Sequence, residues 1–504
     1  MTEKQLNNRG NIVRNASIFS GGVYISQILF FIRGFLNARI LGPGLYGLWS
    51  GLNIILNYSA YARLGSLNAM NREIPYQNQN GRRSEEEMYK TRNAAFTICL
   101  VTSFIFSFVL VVIAFLLRQK ISFNELAGFV TIALIAFILS IFEFYQTSVI
   151  ALKKFTVITK ANIWFAILSV GLTLAIVPRF NIYGVYIVAI LIPLLTLAYL
   201  VFKEPCKVKV CFDFKEMFRL INIGLPLGAI NFLDSSVINV PSMIVLALLG
   251  KVSLGYYSVA MLATRFLTYF PISIHRTFEP YIYQKCGQTK DILELKKYLF
   301  KPIQVMALLF PVIIGAYYTI VAFFIRHFLT KYTAAIHPFF IISIGVFFIS
   351  FSPTSNAFIT AMNRQKFLIP VYLCGIVIAF LFSIVLIKMG YGLIAPAFGL
   401  LFAFFFIGSV VFMYAISNYV KSAIKCLIYL AGICVPLIYI IAIVFFNEAV
   451  VSSSAEIFSD SIKLVIKLAV LFVFSLPLVY IANNKTGVIT DVLRLSRMKR
   501  GVKI

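Results

Sequence analysis

The stretch ILGPGLYGLWS occupies residues 40–50, and a related stretch, LLGKVSLGYYS, occupies residues 248–258. Each lies between two apolar segments that are long enough to cross a membrane as helices. The offset between the two stretches is 208 residues, as Leu41 and Leu249 show. The sequence therefore predicts two helix–turn–helix segments of the same kind, one in each half of the chain.

A second pair of motifs has the same offset. Tyr183-Gly184 lies between the predicted fifth and sixth spans, and Tyr391-Gly392 lies between the eleventh and twelfth. The matching order predicts an internal duplication, with chance similarity between two segments of biased composition as the alternative. Because an even number of spans separates the copies, the two halves should have the same orientation in the membrane.

Composition predicts that this chain is embedded in a lipid bilayer. Apolar residues make up 60% of the 504 residues, and the mean hydropathy is +0.91. Soluble chains are only about 45–50% apolar, and a spanning helix needs about 20 mainly apolar residues. We therefore predict an all-α polytopic membrane protein with about 14 transmembrane helices, at about 12–38, 45–70, 94–117, 124–151, 157–178, 182–202, 217–248, 254–280, 302–325, 337–362, 367–388, 391–416, 426–447 and 461–483.

Positive charge fixes the predicted topology. Most of the 45 Lys and Arg fall in the two tails and in the even-numbered loops. Loops rich in Lys and Arg stay cytoplasmic, so both termini are predicted to be inside. The net charge of +27 is thus explained by Lys and Arg on the cytoplasmic side of the membrane. We therefore expect no nucleic acid as a partner.

The spans predict three parts. Residues 1–203 would form an N-lobe of six helices, residues 204–416 a C-lobe of six helices, and residues 417–504 two further helices with a basic cytoplasmic tail. The seven cysteines fall in spans or in cytoplasmic loops, so free thiols are expected. The three histidines lack the spacing of metal ligands, and we expect neither a metal nor a cofactor.

Five charged residues lie well inside predicted spans, where each costs at least about 2.5–3.5 kcal/mol and tends to face a partner or a water-filled cavity. They are Arg33, Arg63, Glu143, Asp234 and Arg265. Helical spacing places polar neighbours on related faces. We expect one shared cavity between the two six-helix bundles, walled by spans 1, 2, 7 and 8 with spans 4 and 10 behind, and lined also by Ser26, Asn37, Asn57, Asn231 and Asn356.

Such a cavity holds three guanidinium groups against two carboxylates, which suggests an anionic substrate. Because guanidinium binds phosphate in a bidentate way, Arg33, Arg63 and Arg265 are candidate phosphate ligands. The alternative is that these arginines pair internally with Glu143 and Asp234. The two acids could couple protonation to a conformational change or could form salt bridges, and the residues leave both interpretations open.

Features of an enzyme are missing from the sequence. It contains no GxxxxGK[ST] phosphate-binding loop, and its predicted outer loops carry no clustered pair of carboxylates. No catalytic residue can be assigned, so transport is the favoured class of function. A membrane enzyme that acts on lipid-linked sugars remains the alternative from a different class.

Particular residues also resemble a known family. Residues 38–49, ARILGPGLYGLW, followed by Ile74-Pro75, resemble the opening of polysaccharide-unit flippases of the Wzx type. Residues 254–260, LGYYSVA, followed by Pro271, resemble the corresponding pattern in the second half. These flippases belong to the multidrug, oligosaccharidyl-lipid and polysaccharide exporter superfamily, and the resemblance extends over the whole chain.

The resemblance implies a V-shaped, MATE-like pair of six-helix lobes in a bacterial inner membrane, with two extra C-terminal helices. It implies a flippase that moves an undecaprenyl-pyrophosphate-linked oligosaccharide to the outer leaflet by alternating access, for O-antigen or other surface polysaccharide. Membrane lipids, a polysaccharide polymerase and a chain-length regulator would be further partners. A cation-coupled multidrug exporter and a peptidoglycan-precursor flippase are the alternatives within the superfamily.

Overall fold

The computed structural model describes residues 3–79, 85–152, 154–203, 208–289, 292–362, 364–420, 422–451 and 457–486. Within these residues the chain is helical, as predicted. The α-helices are α1 Glu3–Ser59, α2 Ser66–Gln79, α3 Glu85–Leu116, α4 Phe123–Ala151, α5 Phe155–Lys203, α6 Phe214–Thr289, α7 Ile292–Phe328, α8 Ile336–Ile349, α9 Ser352–Ala361, α10 Leu368–Lys388, α11 Ile394–Ser417, α12 Ala423–Val450 and α13 Ile457–Thr486.

Three of these helices contain a residue whose backbone is not helical. Gly42 in α1 has φ 70° and ψ 172°, and Gly250 in α6 has φ 81° and ψ −179°. This region of backbone conformation is essentially restricted to glycine. The two glycines occupy the same position in the two stretches at residues 40–50 and 248–258, so both copies interrupt a helix in the same way.

The third interruption lies in α5 at Asn181, with φ 49° and ψ −124°. A Cβ built on Gly184 would lie 2.8 Å from the Cα of Val177. In a straight helix, seven residues separate two positions by about 10 Å along the axis. The chain therefore turns back on itself at Asn181, where the sequence predicts a connection between two spans.

Eleven helical segments among the described residues are long and apolar enough to cross a membrane. The sequence predicts about 14 spans because it divides α1, α5 and α6 into two spans each. These three helices are the ones interrupted at Gly42, Asn181 and Gly250.

The predicted span 45–70 is not one helix. The α-helix ends at Ser59, a 3-10 helix covers Ala60–Arg63, and Leu64 and Gly65 have φ values of 51° and 72° before α2 begins. Adjacent glycine and serine residues are a known cause of sharp helix breaks, and Gly65 is followed by Ser66. This break corrects the prediction of a continuous helix.

Contacts divide the chain into two compact units. The first comprises Met1–Asn239 and Leu246–Ser258, and the second comprises Val240–Val245 and Val259–Ile504. The predicted boundaries at residues 203 and 416 separate groups of membrane spans, whereas these units are defined by contacts between residues. The predicted division stays a prediction. The tail after residue 486 lies outside the described residues.

Each unit has a packed interior. In the first unit, buried residues of α2, α3, α4 and α6 form one apolar cluster that includes Met70, Ile98, Phe144 and Leu220. In the second unit, α7 packs against α12 and α13, and a Cβ built on Gly315 would lie 2.8 Å from the Leu471 side chain. The cluster in the first unit holds α2 in place, which fixes the position of the break that precedes it.

Candidate functional site

A cavity of about 590 Å³ lies within the first unit, at the break between α1 and α2. Residues from 60 to 71 form one wall, Glu143, Thr147 and Ile150 of α4 form a second, and residues of α6 between 225 and 232 form a third. Irregular backbone at membrane depth is tolerated only where it is buried in protein or lines a water-filled cavity. The break in the second predicted span meets this condition because it lines the cavity.

The charged groups of the cavity form a pair. Nη2 of Arg63 donates to Oε2 of Glu143 at 2.5 Å, and Nε of Arg63 donates to the Ala60 carbonyl at 3.1 Å. The Arg63 side chain is 8% exposed, whereas that of Glu143 is 39% exposed. Both residues line the cavity, and Glu143 is the more exposed member of the pair.

The backbone of the break is held against α6 by two glycines. A Cβ on Gly65 would overlap the carbonyl of Gly224 and lie 3.0 Å from its Cα, and a Cβ on Gly224 would overlap the carbonyl of Gly65. Glycine permits this approach because it lacks a Cβ, and at Gly65 it also permits the left-handed conformation. The close approach of α2 and α6 places the Arg63–Glu143 pair at the cavity.

Amide and aromatic side chains supply the rest of the polar wall. Asn68, Asn71 and Asn231 line the cavity together with Tyr61 and Phe232. The rings of Tyr61 and Phe232 meet edge to face with centroids 5.2 Å apart, and the Tyr61 hydroxyl donates to the Asn231 carbonyl at 3.0 Å. The cavity thus offers several hydrogen-bonding groups and a fixed pair of rings.

Two other predicted residues of the first span also have notable surroundings. Arg33 and Asn37 lie one turn apart on α1, and neither Nε of Arg33 nor Oδ1 of Asn37 has a hydrogen-bond partner within the described part of the chain. Both atoms are buried. Arg33 forms no ion pair with any described residue, whereas Arg63 forms one with Glu143.

The remaining predicted residues have separate environments. Ser26 is buried and donates to the Gly22 carbonyl at 2.8 Å, while Asn57 and Asp234 are exposed. In the second unit, Arg265 is exposed, and the Asn356 amide donates to the Tyr372 hydroxyl at 3.2 Å. Of the ten predicted site residues, the cavity brings together Arg63, Glu143 and Asn231.

A network that the sequence pattern did not predict lies at the predicted cytoplasmic end of the first unit. Arg219 binds Glu73 at 3.0 Å and Glu216 at 2.7 Å, and Thr91 donates to Glu216 at 2.8 Å. Burial opposes ionisation of Glu216, yet the bonds from Arg219 and Thr91 hold its pKa below the usual value. We call the Gly65–Gly224 approach together with this network the inner contact.

A second missed feature is a direct contact between the two related stretches. A Cβ on Gly47 would overlap the Lys251 carbonyl oxygen, and a Cβ on Gly255 would overlap that of Pro43. Each Cβ would lie 2.8 Å from the carbonyl carbon. Gly47 and Gly255 are equivalent at the 208-residue offset, and so are Pro43 and Lys251, so the contact has two-fold character.

An ion pair also lies at this contact. The Lys251 ammonium group contacts the Glu125 carboxylate, which also accepts hydrogen bonds from the backbone and hydroxyl of Ser122. The Lys251 side chain is 49% exposed. We call residues 40–50 and 248–258 with this ion pair the repeat contact.

The second unit contains a third missed group. His327 and Asp460 lie 2.8 Å apart and are both 5% exposed, and Glu448 binds Lys467 at 3.1 Å and Arg326 at 3.5 Å. These charges join the ends of α7, α12 and α13. The sequence placed Glu448 and Asp460 in an outer loop, and only packing of the three helices brings them to their basic partners.

The comparisons with known proteins agree on family and fold. A family model described as "Polysaccharide biosynthesis protein" matches residues 36–331. No curated protein matches the chain.

Solved transporter structures have the same fold. An inward-facing multidrug resistance MATE transporter of the MOP superfamily aligns with a TM-score of 0.67 at 13% identity, over 79% of this chain and 96% of that one. The lipid II flippase MurJ in an inward closed conformation gives 0.63 at 15% identity, over 91% and 97%. An outward-facing MATE transporter gives 0.57 at 13% identity, over 81% and 97%. The fold is therefore MATE-like and MurJ-like, and the chain is a multi-pass membrane protein.

Proposed function

Because the chain belongs to the polysaccharide biosynthesis protein family, we propose that it moves undecaprenyl-pyrophosphate-linked oligosaccharide units across the cytoplasmic membrane. The units would pass from the inner to the outer leaflet by alternating access and would serve O-antigen or another surface polysaccharide. The family and the transporter fold, which confirm the predicted resemblance, support the class of function. The identity of the cargo is the proposal.

In this proposal the chain crosses the membrane about 14 times and has both termini in the cytoplasm. The interruptions at Gly42, Asn181 and Gly250 would each lie between two spans. Two six-helix lobes of the same orientation would then be followed by α12 and α13. A polysaccharide polymerase and a chain-length regulator would take the product on the outer side.

One observation of this molecule carries the proposal. A spanning segment is broken at residues 60–65, and the break lines a cavity of about 590 Å³ that contains three asparagines and the Arg63–Glu143 pair. Transporters commonly bind their substrates where spanning helices are discontinuous. A binding pocket for a small molecule usually measures about 300–1,000 Å³, so the cavity can admit part of a polar cargo.

The pyrophosphate is assigned to arginine side chains. Arg33 is the strongest candidate because its buried Nε and the neighbouring Asn37 Oδ1 have no partner among the described residues. Arg265 is exposed and stays a candidate, while Arg63 shares its charge with Glu143. Asp234 is the better candidate for coupling to protons because Glu143 is already in a salt bridge.

The test is deletion of the gene in its own host, with lipid-linked oligosaccharide and surface polysaccharide measured together. We expect loss of surface polymer and accumulation of complete units on undecaprenyl pyrophosphate at the inner leaflet. Unchanged surface polysaccharide would refute the proposal. Lethality with depletion of cell-wall precursor in the outer leaflet would instead identify a peptidoglycan-precursor flippase.

The arginine assignment is tested by complementing the deletion. Arg33→Ala at normal protein level should reduce export strongly, and the control Arg39→Ala, an exposed arginine on the same helix, should support normal export. Full export by Arg33→Ala and Arg265→Ala would show that neither arginine holds the pyrophosphate.

A further inference from the structure

We infer that the cavity at the break between α1 and α2 is a sugar-binding subsite and that the pyrophosphate of the cargo binds elsewhere. The inference rests on the proposed function, because it assigns one part of the proposed cargo to one cavity. It changes the role of Arg63, which the sequence alone suggested as a phosphate ligand.

The charges of the cavity argue against phosphate. Arg63 and Glu143 are the charged residues among its described lining, and they neutralise each other at 2.5 Å. The more exposed member of the pair is Glu143, whose side chain is 39% exposed, while the Arg63 side chain is 8% exposed. An anion entering the cavity would therefore meet an exposed acidic side chain and a guanidinium that is already engaged with it.

The hydrogen-bonding groups of the cavity suit hydroxyl groups. Asn68, Asn71 and Asn231 line it, and each asparagine amide can both donate and accept. The free face of Glu143 adds an acceptor, which a sugar hydroxyl can satisfy by donating. A sugar is a neutral polyol, so binding it does not require the removal of water from a charged group. Binding a phosphate in the same cavity would incur that cost.

The aromatic residues supply the apolar part of such a site. Phe232 is 40% exposed, and its ring meets Tyr61 edge to face at 5.2 Å while Tyr58 lies 5.7 Å from it. The ring cluster is thus held in one orientation. The electron-rich face of an aromatic ring attracts the C–H groups on the flat side of a pyranose.

Two glycines, Gly65 and Gly228, also line the cavity. A Cβ on Gly228 would lie 3.5 Å from the Cα of Gly65 and 3.9 Å from Nδ2 of Asn68. Gly65, Gly228 and Asn68 therefore lie next to one another in the lining of the cavity.

The experiment measures binding to the purified full-length protein in nanodiscs by calorimetry. The probes are the host's oligosaccharide unit after release from its lipid and removal of phosphate, inorganic pyrophosphate, and undecaprenyl pyrophosphate without sugar. The oligosaccharide should bind, and inorganic pyrophosphate should not displace it. Asn71→Leu and Phe232→Leu should each weaken oligosaccharide binding at least tenfold and leave the affinity for undecaprenyl pyrophosphate unchanged.

Matched controls use exposed residues outside the cavity. Gln119→Leu replaces an amide and Phe202→Leu replaces an aromatic ring, and both residues are exposed. Both variants should bind the oligosaccharide as the unaltered protein does. A melting temperature within the range of these controls would show that the cavity variants are folded.

Three results would overturn the inference. They are an absence of oligosaccharide binding, displacement of the oligosaccharide by inorganic pyrophosphate, or equal affinity in the cavity variants and the controls. The gene deletion separates these failures from failure of the proposed function. If the deletion abolishes surface polymer but Asn71→Leu binds the oligosaccharide normally, only the sugar subsite is wrong.

Discussion

The repeat contact and the inner contact both rely on glycines without a Cβ, but they differ in their charges. In the repeat contact, Gly47 and Gly255 approach two equivalent carbonyls, and one half-exposed lysine pairs with Glu125. In the inner contact, Gly65 and Gly224 approach each other, and Arg219 is surrounded by two carboxylates and a threonine. Backbone proximity is thus common to both, whereas the inner contact has more electrostatic reinforcement.

This difference separates two causes of stability. Glycine contacts depend on shape and tolerate no added atoms, whereas exposed ion pairs contribute little and respond to salt. Substitutions at the glycines should therefore be costly at both contacts. Substitutions of the charged residues should destabilise the inner contact more than the repeat contact.

The largest effect is expected at Gly65. Gly65→Ala adds a Cβ that overlaps the Gly224 carbonyl and also forces alanine into a left-handed conformation at φ 72°. Overpacking costs about 1–3 kcal/mol and the left-handed conformation about 1–2 kcal/mol. Thermal unfolding of the purified protein should show the largest fall in melting temperature of all the variants discussed.

Gly228→Ala is the matched control for Gly65→Ala. Its Cβ would make only ordinary contacts, the nearest at 3.5 Å. Its melting temperature should stay close to that of the unaltered protein. Equal effects of the two substitutions would show that α2 and α6 do not approach as closely at Gly65 as described.

The next largest effect tests the symmetry of the repeat contact. Gly47→Ala and Gly255→Ala should each destabilise the protein by about 1–3 kcal/mol, and by similar amounts, because each Cβ meets an equivalent carbonyl. Gly44→Ala, whose nearest neighbour would be 3.9 Å away, is the neutral control. A large difference between the two damaging variants would break the two-fold comparison.

Acid should weaken the inner contact. The folded-state pKa of Glu216 lies below its usual value of 4.5, so this residue adds stability above that pH. The added stability is lost as pH falls through the lower folded pKa. Melting temperatures measured below pH 4.5 should therefore fall less steeply for Glu216→Gln than for the unaltered protein.

The control for this pH experiment is Glu86→Gln, at an exposed position of α3. It should preserve the acid-dependent fall in melting temperature. A profile for Glu216→Gln that is identical to this control would mean that the Arg219 network does not depend on the charge of Glu216.

The smallest effect is expected for the ion pair of the repeat contact. Because Lys251 is half exposed, a double-mutant cycle of Lys251→Met and Glu125→Gln should give a coupling of about 0.2–1 kcal/mol. The coupling should shrink as salt is raised. A coupling that is larger and insensitive to salt would place this pair in the same class as the inner network.

Much of the fold could be predicted from the sequence because hydrophobicity and helical period are local properties. Apolar length predicted the spans, and the related stretches at 40–50 and 248–258 predicted equivalent connections, which Gly42 and Gly250 now provide with the same backbone conformation. The signal for the break at Gly65-Ser66 was present as a glycine–serine pair but was not used.

The candidate site was predictable only in part. Intramembrane charge identified Arg63 and Glu143, because the cost of burying a charge is a property of the residue type. Their pairing depends on how the 3-10 helix Ala60–Arg63 packs against α4, and the sequence left that open. Asn68 was missed because the prediction treated residues 45–70 as one continuous helix, and Asn71 was missed because it falls just after that predicted span.

The sequence by itself determined that this chain is a multi-pass membrane protein and where its charges are costly to bury, since these follow from composition and spacing along one chain. Only the tertiary structure decided that Arg63 is neutralised by Glu143 while Nε of Arg33 has no hydrogen-bond partner among the described residues, and that equivalent glycines of the two stretches touch. The reason is physical. The energy of a charge pair or of a backbone contact depends on distances between residues far apart in the sequence, and helix packing alone sets those distances.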